Sequence, residues 1–105
     1  MLFGVKAESK VPSPLPPEQQ LELVVKTWET MISYKQQGKI LAGGALAHGK
    51  GCYEVFNVDS IEELHGLIAQ VPMTPFVEIE IVPLVTYEQA LESAKQALAA
   101  VRESK

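Results

Sequence analysis

Only one of the 105 residues, Cys52, is a cysteine, so neither an internal disulfide nor a thiolate metal cluster can staple this chain. Histidine is nearly as scarce. His48 and His65 are the two present, and neither has further ligands at metal-site spacing, so no metal and no cofactor are expected. Nine basic residues stand against thirteen acidic, a net charge of −4, which lacks the concentrated cations that a nucleic-acid partner requires. Long apolar runs are missing too. The longest stretch free of charge and strong polarity, residues 40–47, falls far short of the ~20 residues of a membrane span. No basic leader precedes an apolar segment at Met1-Leu2-Phe3, so a cytoplasmic location is expected, away from any membrane. What the chain has is apolar mass. At 47% hydrophobic residues, it can build the core of one small domain, and self-association is a common remedy for the limited burial of that size.

Periodicity places the elements. Residues 2–7 alternate as a strand, and the connector over 11–17 holds Pro12, Pro14, Pro16 and Pro17. Pro17 suits the first turn of a helix running to Gln37, with Leu21, Val24, Val25, Trp28, Met31 and Ile32 as its inward stripe and Gly38 as its stop. Residues 39–48 and 52–58 form a hairpin through His48-Gly49-Lys50-Gly51. In its first strand the pair Gly43-Gly44 reads as a bulge that curves the sheet. Ser60 and Glu63 form a capping box for a second helix that ends before Pro72. Strand alternation is clearest over residues 76–81. A second box, Thr86 with Gln89, opens a third helix with Tyr87, Leu91, Ala94, Leu98 and Val101 on one seam. The order is β-α-β-β-α-β plus a helix, an α+β ferredoxin-like sandwich over residues 1–85 with a helical extension over 86–105.

Residues Met1-Leu2-Phe3, Val5-Lys6 and Pro12, then Tyr53, Val55-Phe56, Val58, Ser60, Glu62 and Leu64-His65, resemble the muconolactone isomerase family. The likeness continues through Gln70, Pro72, Pro75, Ile79-Glu80 and Leu84. It implies a dimeric α+β barrel, a homodimer or a ring of dimers, and a cofactor-independent isomerase that shifts a C=C bond by proton transfer in a small lactone. Departures accompany it. The family carries a histidine where this chain has Gly4, polar and aromatic residues where it has residues 40–44, and an asparagine where it has Cys52.

Proton transfer between carbons needs a base near the acidic carbon and a donor or cation near the developing oxyanion. Strand parity offers Lys6, Glu54, Glu78 and Glu80 on the face away from the helices, a cluster in which one carboxyl would hold its proton more tightly. His65, at the edge of the second helix's apolar stripe, is the fifth candidate. A plain reading competes with each: cross-strand ion pairs on a solvated face, and a helix-edge histidine. Cys52 reads as a buried, inert thiol. Two functions follow: an isomerase acting on a small lactone or cyclic enol acid, or a non-catalytic binding or assembly module that kept the fold and lost the site.

Overall fold

The computed structural model describes residues 1–10 and 12–104, so Val11, at the start of the proline connector, lies outside the described residues. Its elements are β1 (Leu2–Glu8), α1 (Pro17–Gln36), β2 (Ile40–Ala45), β3 (Gly51–Asn57), α2 (Ile61–Ala69), β4 (Glu78–Leu84) and α3 (Tyr87–Glu103), with a 3-10 turn at Thr74–Phe76 before β4. The four strands form one antiparallel sheet in the order β2-β3-β1-β4. That order with two crossover helices is the ferredoxin-like arrangement.

The expected α+β barrel is not what the sheet makes. It is open, with β2 and β4 as its two edges. Closure requires strand number, tilt and stagger to agree around a ring, and four strands with two free edges do not supply that. The irregularity in β2 falls at Leu41, between Ile40 and Ala42, rather than at the glycine pair. Gly43 has its own reason: at φ 136 its Cβ position lies 2.2 Å from the Tyr53 carbonyl oxygen of β3, so only glycine allows this approach.

Register fixes which side chains enter the core. Phe3 stands opposite Phe56, Val5 opposite Glu54 and Ala7 opposite Cys52. On the other flank of β1, Val5 faces Ile81 and Ala7 faces Ile79. Phe3, Val5 and Phe56 are buried with Tyr34 of α1, Ile40, Val58 and Leu64 of α2. Tyr34 also donates its hydroxyl to the Leu67 carbonyl at 2.6 Å, tying α1 to α2.

Helix α1 is turned relative to its expected stripe. Its buried residues are Thr27 and Tyr34, whereas Leu21 (63% exposed), Val25 and Ile32 lie outward. An apolar arc wider than the contact surface leaves one edge in water. The glycine stop at Gly38 (φ 77) is as expected, and Ser60 accepts from the Glu63 amide. Glu63 itself accepts from the Asp59 amide and from Lys39. Strand β4 begins two residues later than its alternation suggests, because Phe76 belongs to the preceding turn. Helix α3 carries a complete capping box of Thr86 and Gln89, and all its residues are exposed, Tyr87 at 93%.

Leu64 is fully buried. Leu64→Ala should therefore lower stability by about 3 kcal/mol, the range for deleting a buried leucine, read as a lower urea midpoint at unchanged slope. Leu21→Ala, on the outward edge of α1, should move that midpoint little.

Candidate active site

Between α1 and the inner face of the sheet lies a cavity of about 450 Å³. Strands β1 and β3 supply its floor through Val5, Cys52, Glu54 and Phe56, and α1 supplies one wall through Gln20, Thr27, Trp28 and Met31. The segment after α2 closes another side with Val71, Met73 and Thr74, and Lys10 and Lys50 also border the space. Both lysines are exposed; Lys10 is paired with the Glu8 carboxylate, and Lys50 is the cation at the rim that favours entry of an anion.

Glu54 is the polar feature of the floor. It is 4% exposed, and burial pushes its carboxyl up to about 7, partly opposed by a hydrogen bond from the Cys52 thiol. Desolvation disfavours the charged form, so a carboxyl beside Val5 and on the same face as Phe56 holds its proton to near neutrality. The same burial, with the neighbouring carboxylate, raises the Cys52 thiol. Cys52 is therefore a poor nucleophile here, as its sequence context suggests. A group titrating near 7 exchanges protons with a substrate in either direction, which general acid–base chemistry requires.

The wall opposite holds two unsatisfied groups. Thr27 is 5% exposed, and its Oγ1 and the Gln20 Oε1 are buried without a hydrogen-bond partner. A buried polar atom left unpaired costs about 1–3 kcal/mol.

The five residues picked from the sequence do not form one cluster. Glu54 points into the cavity. Lys6 lies on the opposite face of the sheet, across from Tyr53 and Glu80, and Glu78 stands across from Glu8 on that same face. Glu78 and Glu80 are exposed. His65 is exposed on α2 and takes no part in lining the cavity. His48 meets the Glu8 carboxylate at 2.9 Å, and Lys10 takes the other oxygen of Glu8. These two contacts hold that carboxyl down at about 2. No group of three or more His, Cys, Asp or Glu residues able to hold a metal occurs among the described residues. Gln20 and Thr27 escaped the sequence reading. Their signal was a polar set at positions 20, 27 and 34, seven residues apart on one helix face, hidden beneath a stronger apolar pattern.

Known proteins share this fold. A family model described as muconolactone delta-isomerase matches residues 1–90. Muconolactone Delta-isomerase 1 of Acinetobacter lwoffii is 26% identical over 91 residues, covering 87% of this chain and 95% of that protein. Muconolactone Delta-isomerase of Pseudomonas aeruginosa is 27% identical over 93 residues, covering 89% and 97%. A crystal structure of muconolactone isomerase superposes with a TM-score of 0.73 at 30% identity, over 83% of this chain and 91% of that one.

The raised carboxyl has a consequence for stability. Glu54 moves from an ordinary 4.5 to about 7 on folding, so between these values the folded chain binds more protons than the unfolded. Stability should be greatest below pH 4.5 as far as this group is concerned, fall as pH rises to about 7, and stay low above it. Glu54→Gln removes that loss. At pH 8 the variant should be more stable than the parent by up to about 3 kcal/mol, and chemical denaturation at pH 4 and pH 8 should show the gap widening from little to nearly its full size.

Proposed function

Because the chain belongs to the muconolactone delta-isomerase family, we propose that it moves a proton between carbons of a small lactone or cyclic enol acid, with Glu54 as the acid–base group. The observation that carries this reading is the carboxyl of Glu54, buried in the floor of the cavity and titrating near 7. As carboxylate it takes the proton from the acidic ring carbon, leaving a dienolate; as acid it returns that proton to the second carbon. No electrons leave the substrate and none enter, so no redox partner is required. The apolar cavity walls keep water from competing for the proton, and Lys50 at the rim draws an acidic substrate to the mouth. The same reading places the enzyme in the cytoplasm; no helix among the described residues is long and apolar enough to cross a membrane.

Self-association belongs to the proposal as well. Helix α3 borders no part of the cavity. Leu91, Leu98 and Val101 are exposed along it, as are Val82, Leu84 and Val85 of the segment leading into it. An apolar strip of this length on a monomer is an association surface, and we assign it to a second copy of the chain.

Incubation of muconolactone with the protein in deuterated water tests the chemistry, with ring protons followed by NMR. Exchange should depend on protein, rise with pH through about 7 and level off, because the carboxylate is the base. Glu54→Gln should reduce it a hundredfold or more. Exchange that persists in this variant removes Glu54 from the reaction, and absence of exchange in the parent turns the balance to the non-catalytic binding module. For the helix, a variant carrying Leu91→Lys and Leu98→Lys should run at a smaller mass in light scattering while its sheet stays folded. An unchanged mass with unchanged stability would make α3 a free appendage.

A further inference from the structure

The cavity is larger than a bare lactone ring needs. An apolar cavity of about 150 Å³ takes one benzene, and this one measures about 450 Å³. A single small ring beside Glu54 therefore occupies roughly a third of it. The remaining space has a direction. Along β3 the lining residues run Gly51, Cys52, Glu54, Phe56, from the mouth beside Lys50 to the buried core that includes Phe56. Met31, Ile68 and Val71 border the cavity and also pack against that core, so they wall its inner end. We infer that the substrate is a lactone or enol acid bearing an apolar substituent, an alkyl chain or a second ring, which runs from Glu54 inward to Met31, Phe56, Ile68 and Val71.

The walls of the inner end decide the chemistry of the substituent. Phe56, Ile68 and Val71 have no hydrogen-bonding side-chain group, and the Met31 thioether is only a weak acceptor. Two threonines border the cavity without offering it a hydroxyl. Thr74 donates to the Ile68 carbonyl at 2.6 Å, and the Thr27 hydroxyl is buried. A polar substituent at that end would give up its water for nothing, a cost that an apolar one avoids. The polar part of the substrate is left for Glu54 and for Lys50 at the mouth. Burial of the remote part supplies binding energy that holds the reacting ring against Glu54. This inference rests on the reading of the cavity as the isomerase site and adds the portion of the substrate that the reaction does not touch.

Saturated γ-lactones test this on the intact protein, because they have no double bond to shift and report binding alone. γ-Valerolactone, γ-hexalactone and γ-octalactone carry a methyl, an ethyl and a butyl group on the same ring. Affinity should rise about fourfold with each added methylene. The three methionines report where the chain goes. With their methyl groups labelled for NMR, γ-octalactone should shift the Met31 signal and leave that of Met1, which does not line the cavity. Val71→Phe and Ile68→Phe add bulk at the inner end from two different segments. Each should weaken γ-octalactone about tenfold and leave γ-valerolactone nearly unchanged, and either serves should the other not fold. Equal affinity for the three lactones, the parent's full rise retained in both variants, or saturation by γ-octalactone with Met31 unmoved each overturns the inference. Proton exchange on muconolactone reads out separately: exchange without a chain-length preference keeps the isomerase and removes the substituent, and preference without exchange does the reverse.

Discussion

Side chains two apart on a strand point to the same face, so Phe56 cannot occupy the core without carrying Glu54 and Cys52 inward with it. Phe56 is opposite Phe3 and locked by it, and the β1–β3 register runs unbroken from Leu2 to Glu8. A slip of one residue would free Glu54 to solvent and expose both phenylalanines, at a cost well above that of one buried carboxyl. The acid is thus held in an apolar setting by the packing of its neighbours. The protein limits the penalty in two ways: the Cys52 thiol donates to the carboxylate, and the group takes up a proton near neutrality. That combination turns a packing constraint into a titratable group facing a cavity.

The elements themselves were plain in the sequence, because each rests on a local rule: proline at the start of α1, Gly38 at its end, Ser60 and Thr86 as caps, alternation in β4. Their facing was harder. Strand β3 reads Gly-Cys-Tyr-Glu-Val-Phe-Asn, with an apolar or aromatic residue on each face, so alternation alone does not choose between Phe56 and Tyr53 or Val55. Pairing with Phe3 chooses, and pairing is non-local. Hence Lys6, Glu78 and Glu80 share the outer face, while Glu54, grouped with them by parity, stands on the inner one. The same holds for α1. Its apolar residues cover more than half its circumference, and the contact made by Tyr34 with Phe56 and with the Leu67 carbonyl turns Thr27 rather than Val25 inward. A threonine and a glutamine in that register carry no local signature of a cavity.

The two faces of the sheet differ in kind. Inside are the core and the cavity, sealed at one end by Phe3, Phe56 and Leu64 and open at the other near Lys10 and Lys50. Glu8 sits at this open end. Its carboxylate bridges Lys10, just before the proline connector, and His48, in the β2–β3 turn, so the end of β1 and that turn are fastened together beside the mouth. Outside, Tyr53 leans over Gly4, where an added Cβ would come within 3.1 Å of the tyrosine oxygen. A side chain at that position would have to move the Tyr53 ring, so glycine and tyrosine are matched across the β1–β3 pair.

Strand β1 comes first in the chain and yet lies in the interior of the sheet, with Leu2 paired both to Asn57 and to Leu84. During synthesis it leaves the ribosome early and waits for both neighbours. The hairpin of β2 and β3 can close by itself, but the β1–β4 ladder needs partners 70 to 82 residues apart in sequence. At roughly 5–20 residues per second, the opening strand stays half-paired for seconds. Its bare edge is a template for wrong pairing throughout that interval, and the high sequence separation slows the correct one. Lys6 and Glu8, charges in the middle and at the end of an otherwise apolar strand, are gatekeepers for that wait.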